Sequence, residues 1–281
     1  MANHAKNIGV IAGGGQFPSL FIRAARERGR RIVLVAHKNE TDPRLADIAD
    51  EVCWVKLGQL GRVISFFKKT GVKETVFLGT ITKTRIFKDI FPDLKGMSLW
   101  NKIDKKQDDA ILRATAVALE KEGIDVLEST LYLRHLLFPQ GVLSKAKPSK
   151  KQLKDIAFGW QNARAIGALD IGQCVVVRDC TVLAVEAIEG TDNAIIRGGK
   201  LGKEKVVVVK VKKPGQDFRF DLPATGINTV KTLASVNGAV LAVEAGHSLL
   251  FDQEQMIEEA NKSGIVVVGV KEMDDGSLLV S

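Results

Sequence analysis

Short apolar runs alternate with helix-spaced apolar positions along the first half of the chain, the rhythm of a parallel sheet covered by helices. Ile8 to Ala12, Arg31 to Ala36, Glu51 to Lys56 and Thr75 to Gly79 read as strands, with helices over Gln16 to Arg28 and Gly58 to Lys69. Asp108 is placed as the N-cap of a further helix, with Ile111, Leu112, Thr115, Ala118 and Leu119 on one face and Gly123 as its stop. Ile124 to Leu127 gives the last strand of this half.

The pattern changes near Ser144 to Lys151, where Lys145, Lys147, Lys150, Lys151 and Lys154 gather around Pro148 in what reads as a hinge and a charged helix start. A helix through Leu153, Ile156, Ala157 and Trp160 follows, then a hairpin of Gln173 to Val177 and Thr181 to Ile188 turning at Arg178-Asp179-Cys180. Strands at Lys205 to Val211, Gly238 to Val243 and Ile265 to Val270 alternate with helices near Thr225 to Val236 and Gln253 to Ser263. The predicted fold class is α/β in two domains. Residues 1–144 form an N-terminal Rossmann-like parallel sheet with helices, and residues 145–281 a C-terminal α/β catalytic domain with a mixed sheet. A cleft between two such domains is a common small-molecule site.

With 281 residues, 45% of them hydrophobic and 26% charged, the chain can bury real cores, which excludes disorder and a disulfide-stapled miniprotein. The longest uncharged stretch, Asn7 to Ile22, is broken by glycines, Gln16 and Pro18, so no segment reads as a membrane span. No cleavable leader is read, and Cys53, Cys174 and Cys180 lack metal-ligand spacing, so a reducing cytoplasm is the expected compartment. Half of the formal charge of +8 lies between Thr82 and Lys106, where Lys83, Arg85, Lys88, Lys95, Lys102, Lys105 and Lys106 outnumber Asp89, Asp93 and Asp104. Ile86, Phe87, Ile90, Phe91, Met97, Leu99 and Trp100 interleave with them, a mixture suited to an anionic lipid surface or an acylated ligand. No nucleic acid is expected as a partner, because neither basic run carries a recognised binding motif.

Gly13-Gly14-Gly15-Gln16 follows a strand and opens a helix, where bare backbone amides can cradle a phosphate or pyrophosphate. Thr80, just past the strand Thr75 to Gly79, joins these as a substrate contact. In the second half, Glu186 and Glu189 lead into Gly190-Thr191-Asp192, and Lys210 and Lys212 leave a strand toward Pro214, Asp217, Arg219 and Asp221. Carboxylates at strand ends suit Mg²⁺ or another divalent metal, with the lysines facing phosphate. An extended strand around Phe218-Arg219-Phe220 would put Asp217, Arg219 and Asp221 on one side. Thr225 reads as the N-cap of the next helix, with free amides beside it for an anion, and His247 follows a strand end as a further candidate base or substrate contact. No serine or cysteine has a triad around it, so covalent nucleophilic catalysis is not expected.

Five motifs occur in order along nearly the full chain. They are Ile8-Gly-Val-Ile-Ala-Gly-Gly-Gly-Gln-Phe-Pro18, Asp108-Asp109-x-Ile-Leu, Ala187-Ile-Glu-Gly-Thr-Asp192, Lys212-x-Pro214-x-Gln-Asp217, and Asp221-Leu-Pro-x-x-Gly226 with Thr229-Val230. In these the chain resembles the LpxI family of UDP-2,3-diacylglucosamine pyrophosphatases of lipid A biosynthesis. The resemblance implies metal-dependent hydrolysis of UDP-2,3-diacylglucosamine to lipid X (2,3-diacylglucosamine 1-phosphate) and UMP, by a cytoplasmic homodimer with peripheral contact to the inner membrane. It implies that Asp221, on the family's Asp-Leu-Pro motif, is essential to catalysis. Asp221, Asp192 and Asp217 are then the expected metal ligands, Thr191, Lys210 and Lys212 the phosphate contacts, and Glu186, Glu189, Asp108, Asp109 and His247 further candidates. A non-catalytic nucleotide-lipid carrier is the competing class, separated by turnover and chelator sensitivity. A nicotinamide-dependent oxidoreductase has only the Rossmann-like rhythm in its favour, since Ala36-His37-Lys38 carries no acid at the end of the second strand.

Overall fold

The computed structural model describes residues 6–81, 91–100, 108–214, 216–220 and 222–280, with 100, 108 and 109 placed as helix backbone only. They fall into two compact units. The first runs to Arg134 and takes back a short segment beginning at Asp217; the second holds His135–Gln216 and the chain from Leu222 onward.

In the first unit β1 (Asn7–Ala12), β2 (Arg31–His37), β3 (Glu51–Val55), β4 (Glu74–Leu78) and β5 (Asp125–Val126) pair in the order β3-β2-β1-β4-β5, all parallel. Parallel strands must be covered on both faces, and β2 shows it. Val33 and Val35 join a core with Val63, Ile64 and Phe67 of α2 (Leu60–Lys69) and Leu119 of α4 (Asp108–Glu120), while Ile32 and Leu34 are equally buried. Among the described residues this unit also holds the α-helices α1 (Phe17–Glu27) and α3 (Leu94–Trp100).

The sequence pattern leaves α3 unassigned because it lies inside the basic stretch. Asp93 holds it in place: Oδ1 accepts from the Gly96 amide at 2.9 Å and Oδ2 from the Arg62 amide at 3.1 Å, so one carboxylate serves the first turns of both α3 and α2. Burial works against ionisation of Asp93, but these amides outweigh it and its pKa falls below the ordinary value. Lys68 and Lys95 both reach Glu122, whose carboxyl they pull down to about 2. Lys83, Arg85, Lys88, Lys102, Lys105 and Lys106, with Ile86, Phe87 and Ile90, lie outside the described residues. Among the described residues no helix is long and apolar enough to cross a membrane.

His37 ends β2 with its Nδ1 3.0 Å from the Ala12 carbonyl oxygen. Burial pushes its pKa below 6.5, against the opposing pull of that carbonyl and of Glu40. As pH falls below 6.5 the unfolded chain takes up this proton before the folded one does, so the contribution of a neutral His37 to stability is lost on acidification. We expect the denaturant midpoint of His37→Gln to fall less than that of the wild type between about pH 7.5 and about pH 5.5. Parallel pH slopes for the two proteins would contradict this.

In the second unit β9 (Val207–Lys210), β11 (Val240–Glu244) and β13 (Val266–Glu272) are parallel, and β7 (Cys174–Arg178) joins β9 antiparallel and makes a hairpin with β8 (Thr181–Val185). β14 (Leu278–Leu279) and β6 (Gly141–Val142) pair antiparallel with β13. The sheet is therefore mixed, as the sequence predicts. Successive valines part to opposite faces: Val207 and Val209 pack with Ile156, Trp160 and Ala163 of α5 (Lys150–Ala168), while Val206 and Val208 pack with Ile195, Leu233 and Met256. Those three belong to α6 (Thr191–Gly202), α7 (Ile227–Ser235) and α8 (Gln253–Lys262). β10 (Ala224–Thr225) and β12 (Leu249–Leu250) form a separate parallel pair.

Three expectations need correction. Residues 135–144 pack with the second unit and not the first: the Phe138 amide donates to the Ser248 carbonyl at 2.7 Å, and Gly141 and Val142 pair with Gly269 and Val268. The second hairpin strand ends at Val185, short of Ile188. The sequence pattern assigns no element where α6 lies. In the fold a Cβ at Gly198 would stand 2.6 Å from the Val176 side chain, so the glycine lets α6 lie close on the sheet.

Candidate functional site

In the first unit the glycine run sits at the carboxyl end of β1, beside β4. The order β3-β2-β1-β4-β5 reverses there, the place where open α/β sheets bind ligands. Yet the Gly13 amide donates to the Leu78 carbonyl at 2.8 Å, and Gly14 and Thr80 exchange both backbone hydrogen bonds at 2.8 and 3.1 Å. A Cβ at Gly13 would stand 2.4 Å from the Thr80 oxygen. The glycines at 13 and 14 thus serve a close backbone crossing, and their amides are not open to a phosphate. Gly15 and Gln16 stay exposed beyond it, Gly15 with φ +87° and Gln16 as the N-cap residue of α1.

The expected extended strand at Phe218 is instead a turn, closed by the Phe220 amide on the Asp217 carbonyl at 3.1 Å. Its side chains therefore do not line one face of a strand. Arg219 folds back on Asp217 with Nε 3.1 and 3.0 Å from the two carboxylate oxygens and Nη2 2.8 Å from Oδ2, and its Nη1 reaches Glu120 at 2.7 Å. Burial works against ionisation of Asp217, but Arg219 outweighs it and holds the carboxyl below its ordinary range. Phe220 packs edge-on against Phe77 of β4, with centroids 5.7 Å apart. Asp221 lies outside the described residues, as do the side chains of Asp108 and Asp109.

The second unit gathers most of the remaining candidates at the carboxyl ends of β9 and β11. Lys210 ends β9, is 4% exposed, and donates from Nζ to the Ala224 carbonyl at 2.7 Å. Its cross-strand partner is Cys174, whose carbonyl accepts from the Glu186 amide at 2.9 Å. Burial raises the Cys174 thiol pKa, Glu186 and Asp192 add to the rise, and Lys210 opposes it, which leaves an inert protonated thiol. Glu186 is spoken for: Oε1 accepts from the Thr191 hydroxyl at 2.9 Å and Oε2 from the Gln173 amide at 3.3 Å. Glu189 likewise pairs with Arg197 at 2.7 Å. Both acids, and the Thr191 hydroxyl, thus fasten the start of α6.

Gly190 caps α6 with φ 83° and ψ 168°, backbone that only glycine adopts without strain, and it brings the first amides of the helix, Thr191 to Asn193, to this edge. We expect Gly190→Ala to cost about 1–3 kcal/mol of stability. A denaturation midpoint equal to the wild type would refute that. Thr225 is not a cap: α7 is capped by Gly226 without a side-chain bond, and among the described residues the buried Thr225 hydroxyl has no hydrogen-bond partner, nor has that of Ser248.

Two residues that sequence reasoning missed organise this edge. Glu244, the charge ending an otherwise apolar strand, accepts from the Lys212 amide at 2.6 Å, and Arg164 donates to the Lys212 carbonyl at 3.1 Å, so the backbone leaving β9 is held from both sides. Arg164 also pairs with Glu244 at 2.9 Å and Glu272 at 3.0 Å. His247 has its Nδ1 3.4 Å from Glu244 and 3.1 Å from the Ala245 carbonyl oxygen. The Lys212 side chain turns to the Gln216 carbonyl at 3.2 Å.

Among the described residues no three His, Cys, Asp or Glu side chains come together as metal ligands. Both oxygens of Asp217 are engaged by Arg219, and Asp192 is exposed on the first turn of α6.

Residues 7–136 match the LpxI N-terminal domain and residues 139–268 the LpxI C-terminal domain. The chain belongs to the LpxI family. A curated relative from Caulobacter vibrioides, UDP-2,3-diacylglucosamine pyrophosphatase LpxI, is 31% identical over 94% of this chain and 98% of its own length. Among solved structures, the biotin carboxylase subunit of pyruvate carboxylase is 15% identical over 66% of this chain and 38% of that one, at a TM-score of 0.27. A second, gox2253, is 10% identical over 73% and 72%, at a TM-score of 0.30. Neither carries any argument about this LpxI member.

Proposed function

We propose that this LpxI family member hydrolyses the pyrophosphate bond of UDP-2,3-diacylglucosamine, giving UMP and lipid X. Its full-length similarity to the curated pyrophosphatase carries the reading, and the edge formed by Lys210 and the first turn of α6 supports it. Opening a diphosphate adds the oxygen of water to one phosphorus, breaks that phosphorus's bond to the bridging oxygen and releases a proton. The barrier falls when fixed positive groups meet the charge that builds on the phosphate oxygens. Lys210 supplies a buried ammonium, and the amides opening α6 supply oriented dipoles. Asp221, three residues before the Ala224 carbonyl that Lys210 holds, takes the role of orienting or deprotonating the water.

The same reading brings dependence on a divalent metal, a homodimer and contact with a cytoplasmic membrane face. No step is assigned to the metal, because the described acids do not form its ligand set. Purified protein incubated with UDP-2,3-diacylglucosamine should release UMP and lipid X in equal amounts, and a chelator should stop the release. Tight binding without turnover under any divalent metal would replace this reading with a nucleotide-lipid carrier. Turnover indifferent to chelator would keep the hydrolase and discard the metal.

A further inference from the structure

The lysine run that opens the second half of the chain takes no part in the site above. Next to it lies a cavity of about 680 Å³, within the size range of small-molecule pockets. Its wall is one stripe of α5, Leu153, Ile156, Ala157 and Trp160, closed on the other side by Leu278 and Val280. This stripe is apolar, and Lys147, Gln161, Glu272 and Ser277 add polar groups to the rest of the lining. Leu153 is 37% exposed, and among the described residues the buried Trp160 indole N–H has no hydrogen-bond partner.

Charge at the rim decides what kind of ligand. Lys147 lines the cavity, and Lys150 and Lys154 lie on the helical stripe that continues through Ala157 and Gln161, both lining residues. All three lysines are exposed, and among the described residues none pairs with a carboxylate, whereas Lys151 is taken by Asp179 at 2.5 Å. The capping box of Ser149 and Gln152 fixes the first turn of α5 and with it this row of charge. The one acid lining the cavity, Glu272, is held by Arg164 at 3.0 Å. A slot with an apolar stripe and an unpaired cationic rim fits a chain-like apolar molecule with a negative head.

We infer that this cavity of the second unit binds the acyl chain of a single-chain anionic lipid, its headgroup resting on Lys147, Lys150 and Lys154. The inference does not rest on the pyrophosphatase reading. Full-length protein carrying Trp54→Phe and Trp100→Phe leaves Trp160 as the reporter, and nitroxide-labelled stearate is the probe. The probe should quench Trp160 saturably below its micellar concentration. Ala157→Phe, which fills the slot from an exposed helix position, should abolish the quenching. Joint Lys147→Glu, Lys150→Glu and Lys154→Glu should weaken it by about ten- to a hundredfold, as should replacing the probe by its uncharged methyl ester. Two results would overturn the inference. One is quenching that is absent, or equal in all these proteins. The other is an oligomer that Leu153→Glu dissociates, in a protein that ignores the probe, which would give the slot to a second copy of the chain.

Discussion

Replacing Asp221 by alanine is expected to lower turnover of UDP-2,3-diacylglucosamine by about three to four orders of magnitude and to leave the fold in place. The carboxylate has one task in the proposed reaction, to hold and deprotonate the water. Its loss should therefore appear in kcat, with substrate capture surviving. The neighbouring turn has its own supports: Arg219 on Asp217 and Glu120, Phe220 against Phe77, and the Ser129 hydroxyl on the Phe218 carbonyl at 3.2 Å. A melting midpoint close to the wild type is expected for that reason. Near-normal turnover in Asp221→Ala would remove the residue from the mechanism.

Lys210→Met has the second largest expected effect, a fall of about a hundred- to a thousandfold in kcat/KM. Methionine keeps the length and apolar stem of lysine, so the sheet position paired with Cys174 is retained while the charge is removed. If Lys210 only tied down the Ala224 carbonyl, the variant would lose stability and keep its activity per folded molecule. If it meets phosphate, the activity goes first and Lys210→Arg restores part of it. Melting and turnover measured on the same preparation separate the two.

Much of this fold was legible from the chain, for a physical reason. Strands buried on both faces, such as the valines at 206–209, leave an unbroken apolar run, and the residue that ends such a run tends to mark a strand end. Lys210 interrupts such a run and ends the strand, although the sequence pattern carries it on to Val211. Glu244 ends Val240-Leu-Ala-Val in the same fashion and carries a signal of the same kind.

Where the reading failed, side chains or glycines served a purpose that spacing does not reveal. Gly13 and Gly14 look like a phosphate cradle and accommodate a backbone crossing; Gly198 lets α6 approach the sheet at Val176, and Gly199 leaves room for Val236 just past α7. Asp217 looks like a free ligand because nothing in its spacing says that Arg219 will turn back upon it. Arg164 was invisible, since its partners Glu244 and Glu272 stand far along the chain.

The claim at the centre of this account is that the diphosphate is cleaved. Phosphorus NMR of one reaction, with wild-type protein, UDP-2,3-diacylglucosamine and a divalent metal, follows it directly. The account predicts that the two diphosphate resonances decay together while two phosphomonoester resonances, from UMP and lipid X, grow in equal amounts. Diphosphate resonances that broaden on binding and never decay would contradict it.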